Sequence, residues 1–65
     1  MTPEDRRRLA EAVREACLEA AKKSYAEASQ SGLCHEGAVE ASLDAIRMVD
    51  VEALLETLLQ PKNPG

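Results

Sequence analysis

Residues 31–38 read SGLCHEGA, and this run separates two segments that are rich in Ala, Leu, Glu and Arg. Gly32 is the first glycine of the chain, and glycine readily adopts the left-handed conformation that ends a helix. We expect Leu33 to fold back onto the last turn of the preceding helix, as an apolar residue does after such a stop. The stretch therefore predicts one helix that ends near Gly32 and a second that begins at Cys34 or His35.

Upstream of this turn, the sequence has the pattern of a single long helix. Thr2 is a candidate N-cap, and Pro3 suits the first helical position. Apolar residues then recur every three or four positions, at Leu9, Val13, Ala16 and Ala20. A second set widens this stripe to one side and consists of Leu18, Ala21, Tyr25 and Ala28. We predict a helix from about Pro3 to Gln30 or Ser31.

Downstream of the turn, the spacing of apolar residues indicates a second helix, with a stripe made of Val39, Leu43 and Ile46. The stripe shifts phase at Met48–Val49, which leaves two alternatives. Either Asp50 caps a separate third helix over residues 51–59, or the second helix continues with a kink. We favour the cap, because a continuous helix would keep one phase.

The chain has 65 residues, which is enough for one small domain. We predict a single helical domain over residues 1–60 and a frayed tail over residues 61–65, since proline closes the last helix. Tyr25 is the only aromatic residue, and Ala and Leu dominate the apolar set. This composition favours helices over a sheet. The expected fold is all-α, an antiparallel helical hairpin whose two arms are joined by a short turn.

Two antiparallel arms do not enclose a core, because each apolar stripe has one partner and one open flank. The C-terminal segment is especially apolar, with Val51, Leu54, Leu55, Leu58 and Leu59. Burying each of these side chains contributes about 1.5–3 kcal/mol, so a second chain that covers them is favoured. We therefore expect a homodimer that closes a four-helix bundle.

Residues able to carry chemistry cluster at the turn, where Cys34, His35, Glu36 and Gly37 are consecutive. A thiol at a helix N-terminus loses its proton more readily, so Cys34 with His35 and Glu36 is a candidate redox-sensing or metal-binding site. Successive helical residues point about 100° apart, however, and do not converge. The simpler interpretation is a small residue in a turn beside a solvated histidine, with no catalytic residue, no metal and no cofactor.

Gly37 and Tyr25 extend this candidate site. A glycine inside a helix costs about 1 kcal/mol relative to alanine, so Gly37 predicts a close approach, which we assign to packing against the first helix near Tyr25. We interpret Tyr25 as core filler, with a hydrogen bond from its hydroxyl at a pocket rim as the alternative. Cys17 is expected in the core. It is about 21 Å along the helix from the turn, too far for an intrachain disulfide with Cys34.

Charge and hydropathy bear on the possible partners. Residues 1–31 hold six acidic and six basic side chains, so the whole net charge of −4 lies in the second half. This distribution argues against nucleic acid as a partner. The arginines at 6–8 are interpreted as an ion-paired, solvated face with Glu4 and Glu11. An acidic column of Glu36, Glu40 and Asp44 is expected to lie near Lys22 and Lys23.

No run approaches the ~20 apolar residues that span a bilayer, and no apolar run follows the N-terminal arginines as in a secretory signal. We therefore expect a cytoplasmic protein with reduced thiols and no membrane partner.

The run SGLCHEGAVEASLDAIRMVD, residues 31–50, resembles a family of short bacterial helical proteins with the pattern S-G-L-C-x-E-G-A-x-E-x-A-x-x-A-I-R. The segment AVREACLEAAKKSYAEA is also similar, so the resemblance covers nearly the whole chain. It marks residues 31–34 and 36–38 as a unit. Some members carry an acetyltransferase label, but acetyl-CoA enzymes use a far larger mixed α/β domain, and no phosphate-binding glycine loop is present here.

The expected function is an interaction or scaffold module that dimerises and has no catalysis of its own. The alternative is a thiol-dependent site around Cys34.

Overall fold

The computed structural model describes residues 1–59, which form three α-helices and no strand. The helices are α1 (Pro3–Gln30), α2 (His35–Arg47) and α3 (Val51–Leu59). The all-α fold and the separate third helix are confirmed, and the kinked continuous helix is wrong. The predicted tail, residues 61–65, lies outside the described residues.

A capping box begins α1. The Thr2 hydroxyl accepts a hydrogen bond from the Asp5 backbone N–H at 3.1 Å, and the Asp5 carboxylate accepts one from the Thr2 N–H at 3.4 Å. Pro3 occupies the first turn, where its missing N–H leaves no hydrogen bond unmade. The N-cap predicted at Thr2 is confirmed.

A Schellman motif ends α1. Gly32 has φ of 90°, and its N–H donates to the Ser29 carbonyl at 3.1 Å. The Leu33 N–H donates to the Ala28 carbonyl at 3.0 Å, which completes the two bonds of the motif. The helix stop at Gly32 is confirmed. Leu33 then packs over Gly37, because its side-chain atoms are the three nearest to a Cβ built on that glycine.

Small residues form the seam between α1 and α2. The Ser24 hydroxyl donates to the Ala41 carbonyl of α2 at 3.0 Å. Ala28 and Ala38 are the two buried hydrophobic residues among those described. Because Tyr25 meets His35 while the earlier Ser24 meets the later Ala41, α2 runs antiparallel to α1. The predicted hairpin is therefore present, and its seam lets the two backbones come close.

The break between α2 and α3 changes which side chains of the C-terminal segment face α1. The Asp50 carboxylate accepts a hydrogen bond from the Ala53 N–H at 2.9 Å, as predicted for a cap. α2 directs Ala38, Ala41 and Ala45 towards α1. At 3.6 residues per turn, a straight continuation would direct Glu52 and Glu56 towards α1 and the leucines away from it. After the break Leu54, Leu55 and Leu58 are half-buried instead.

Neither α2 nor α3 contacts the other, and both pack only on α1. Each of these helices therefore has one covered side and one open side. No large side chain is fully buried within residues 1–59. In that part of the chain no helix combines the length and the apolar character needed to cross a membrane.

Candidate interaction surface and turn

The contact between Tyr25 and His35 defines which sides of α1 and α2 lie next to each other. The Tyr25 hydroxyl lies 2.9 Å from His35 Nδ1, and the two rings meet edge-on with centroids 5.9 Å apart. Side chains seven positions apart share one side of a helix, so Leu18 lies on the side of Tyr25. Val39, four positions after His35, lies on the side of His35. The contact therefore joins a stripe on α1 to a stripe on α2.

We call the joined surface the apolar face, and its large side chains are Leu18, Tyr25, Val39, Leu43 and Ile46. All five are exposed, with Leu18 and Leu43 each retaining 49% of their accessible surface. Contiguous apolar surface of this kind marks interaction sites in soluble proteins. The stripes were visible in the sequence, but their merger on one side of the hairpin depends on the helix register.

The acidic column beside this face, Glu36, Glu40 and Asp44, makes its ion pair with an arginine of its own helix. Within residues 1–59 the one ion pair joins the Asp44 carboxylate to the Arg47 guanidinium at 2.8 Å, and both side chains are exposed. The ion pairing expected around the arginines at 6–8 is therefore wrong, whereas the nearness of the acidic column to Lys22 and Lys23 stays a prediction. An exposed pair on one helix contributes only about 0.3–0.5 kcal/mol.

At the turn, the structure brings together Tyr25 and His35 but leaves Cys34 apart. Cys34 is the N-cap of α2, with extended backbone, and its side chain makes no capping hydrogen bond. Its thiol is free and exposed, whereas Cys17 on α1 is free and half-buried. No group of three or more His, Cys, Asp or Glu side chains within residues 1–59 is arranged to hold a metal ion. A thiol-dependent function stays a prediction.

One interpretation of the turn changes and another stays a prediction. The three atoms nearest to a Cβ built on Gly37 belong to Leu33, and the packing of Gly37 against α1 near Tyr25 stays a prediction. Tyr25 is exposed rather than core filler, and its hydroxyl bonds to His35 beside a shallow depression lined by His35, Glu36, Val39 and Glu40. This hydrogen bond spans ten positions, and only the antiparallel register would have indicated it.

The chain matches no protein-family model, no curated protein and no solved structure. The resemblance of residues 31–50 to the short bacterial family stays a prediction. A function has to be inferred from the physical character of the apolar face.

Proposed function

We propose that the protein is a homodimeric helical interaction module, in which the apolar face of one chain packs against the same face of a second copy. The two hairpins then form a four-helix bundle. The observation that supports this proposal is the exposure of five large apolar side chains on one side of the hairpin. The proposal gives the protein no catalytic step.

The accessible surface of the single chain is larger than that of a compact monomer of the same mass. It amounts to 5454 Å², whereas a compact monomer of this mass, 7.0 kDa, exposes about 4000 Å². Stable interfaces bury about 800 Å² on each partner. One face-to-face contact would therefore remove a large part of the excess.

A two-fold contact suits this surface because such a contact pairs the same patch of both chains, and an apolar patch can pack against a copy of itself. In such an interface each residue of the apolar face meets a residue of the partner's apolar face. The covering chain then supplies two antiparallel helices at once, which is the up-and-down arrangement of a four-helix bundle.

The proposal is tested by placing a charge on the face. We expect light scattering of the wild-type chain to give about twice its 7.0 kDa mass. Leu18→Glu and Leu43→Glu should shift the chain to monomer while circular dichroism keeps its helical content, because both side chains are exposed in the single chain. A carboxylate buried in the proposed interface would lose its hydration without gaining a partner.

The matched control is Met48→Glu, which adds the same charge at a methionine that is 82% exposed and lies outside the apolar face. This variant should remain dimeric. A wild-type chain that stays monomeric at every concentration tested would overturn the proposal. Dissociation by Met48→Glu to the same extent as by Leu18→Glu would overturn the assignment to this face.

A further inference from the structure

The acidic column borders the α2 half of the apolar face along its length. One depression is lined by Val39 together with Glu36 and Glu40. The next is lined by Leu43 together with Glu40 and Asp44. Three carboxylates and the one arginine paired with Asp44 give this border a net charge of −2. All of these charged residues are exposed, so they meet whatever packs on α2.

The α1 half of the apolar face has a mixed border. Residues three or four positions apart are neighbours on a helix surface, and the charged ones at that spacing from Leu18 are Arg14, Glu15 and Lys22. Lys22 also lies three positions before Tyr25. Two positive charges and one negative charge give this border a net charge of +1. The acidic column of a second copy is therefore repelled by the α2 border but not by the α1 border.

Two arrangements with two-fold symmetry place one apolar face on the other. With the symmetry axis along the helices, each α1 lies over α2 of the second copy, and both turns are at the same end. With the axis across the helices, α1 lies over α1, α2 lies over α2, and the turns are at opposite ends. Adjacent helices are antiparallel in both arrangements, so helix direction does not decide between them.

We infer that the symmetry axis runs along the helices, so that α1 of each chain packs on α2 of the other and both turns lie at one end of the bundle. This inference rests on the dimer proposed above and specifies how its two chains are arranged. The two acidic columns are then diagonal to each other, and each column meets a mixed border. The other arrangement brings two borders of net charge −2 together, and such like-charge contacts act against a wrong arrangement.

The arrangement lowers the repulsion between the copies without removing it. Each chain still carries its net charge of −4, and the mixed border attracts the acidic column only weakly, because exposed charge pairs contribute little. Burial of the apolar face drives the association in either arrangement. The charges at its border therefore choose between two ways of burying the same side chains.

The register within one hairpin shows which residues are level with each other. The Ser24 hydroxyl donates to the Ala41 carbonyl, and Ala20 lines a depression with Ala45. These two contacts fix the height of α2 along α1. Each apolar-face residue of α1 thus has a counterpart at its own height on α2.

This register predicts different contacts for the two arrangements. Tyr25 is close to the level of Val39, and Leu18 is close to the level of Ile46. An axis along the helices keeps these levels, which places the Tyr25 ring over Val39 of the second copy. An axis across the helices reverses them, which places Tyr25 over Leu18 of the second copy and Leu43 beside its own counterpart.

Isotope-filtered NOE spectroscopy tests these contacts in the wild-type chain. An equimolar mixture of labelled and unlabelled chains gives cross-peaks only between protons of different chains. Tyr25 is the one tyrosine of the sequence, so its ring signals are readily assigned. We expect interchain cross-peaks from the Tyr25 ring to the methyl groups of Val39, and none to those of Leu18.

A nitroxide on Cys34 reports independently whether the two turns are together. The Cys34 thiol is free and exposed, and Cys17→Ala removes the other thiol. With both turns at one end, the labelled residues are about 11–14 Å apart, the diagonal of a bundle with neighbouring axes about 8–10 Å apart. With the turns at opposite ends they are about 25 Å apart along the bundle, at 1.5 Å per helical residue.

We expect dipolar coupling that corresponds to the shorter separation. Dilution with an excess of unlabelled chain should abolish this coupling, which is the control for contact between copies. Light scattering of the labelled chain shows whether it is dimeric under the same conditions.

The outcomes separate this inference from the dimer itself. Interchain cross-peaks from Tyr25 to Leu18, with labels at the longer separation, would overturn the arrangement and leave the dimer in place. A monomeric mass without interchain cross-peaks would overturn both. A dimeric sample whose interchain cross-peaks lie outside the apolar face would overturn the arrangement and also the assignment of the contact to this face.

Discussion

Gly32 and Gly37 differ in what opposes a side chain at each position: the backbone conformation at Gly32 and a neighbouring side chain at Gly37. Gly32 has φ of 90°, in the left-handed region, and nothing lies within 4 Å of a Cβ placed on it. Gly37 is inside α2 with ordinary helical backbone, and a Cβ there would come 3.0 Å from Leu33 Cδ2. At Gly32 the backbone requires glycine, whereas at Gly37 only the end of one flexible, exposed side chain opposes a substitution.

The two alanine substitutions should therefore have opposite signs. Gly32→Ala forces a side chain into the left-handed region and should lower the free energy of unfolding by about 1 kcal/mol. Gly37→Ala gains up to ~1 kcal/mol of helix propensity, reduced by a small shift of Leu33, so it should stabilise by less than that. Chemical denaturation at one fixed chain concentration measures both, since dimer stability depends on concentration. A Gly37→Ala chain clearly less stable than wild type would show that Leu33 is held in place.

At the scale of single residues, the sequence predicted the helix ends that depend on neighbours in the chain. Thr2, Gly32 and Asp50 act through hydrogen bonds within five positions along the chain, so residue type and spacing were sufficient. The Tyr25–His35 bond could not be predicted in the same way, because it depends on how α2 is aligned along α1.

At the scale of the helices, the α1–α2 seam contains a hydrogen bond that joins the two elements. Ser24 donates to a carbonyl of α2, whereas Ser42 donates to the Ala38 carbonyl of its own helix. Both side chains are half-buried. Substituting each serine therefore tests a hydrogen bond between helices at Ser24 and a hydrogen bond within one helix at Ser42, at two positions of similar burial.

Ser24→Ala should destabilise the hairpin and Ser42→Ala should not. Loss of the interhelical bond costs about 1 kcal/mol, and the better helix propensity of alanine returns about half of that. Ser42→Ala gains the same propensity and loses only a bond of serine to its own helix, which contributes little. Thermal unfolding of the two variants should therefore differ in the free energy of unfolding by about 1 kcal/mol. Equal stabilities would mean that the seam is held by its alanines alone.

The spacing of apolar residues predicted where α2 ends and α3 begins, but not where α3 packs. The phase shift at Met48–Val49 and the cap at Asp50 were both readable in the sequence, and both are confirmed. The sequence did not show that α3 would dock on α1 without touching α2. That outcome depends on the length of α1, which extends beyond the last turn of α2 and carries the half-buried residues Leu9 and Val13 there.

For the whole molecule, charge opposes the association that the apolar face favours. Each chain carries a net charge of −4, all of it contributed by the half that holds α2 and α3. Two copies brought together therefore repel each other. The five large side chains that define the apolar face are uncharged, so the proposed contact between copies does not require ion pairs across the interface.

Salt should consequently tighten the dimer. Raising the ionic strength from about 0.01 M to about 0.1 M shortens the Debye length from roughly 30 Å to roughly 10 Å, which weakens the repulsion and leaves apolar burial nearly unchanged. Sedimentation equilibrium should show a dissociation constant that falls over this range. The double variant Glu36→Gln with Glu40→Gln removes two negative charges next to the face, so its dissociation constant should be lower at low salt and change less with salt. A dissociation constant that rises with salt would mean that ion pairs, and not the apolar face, join the two chains.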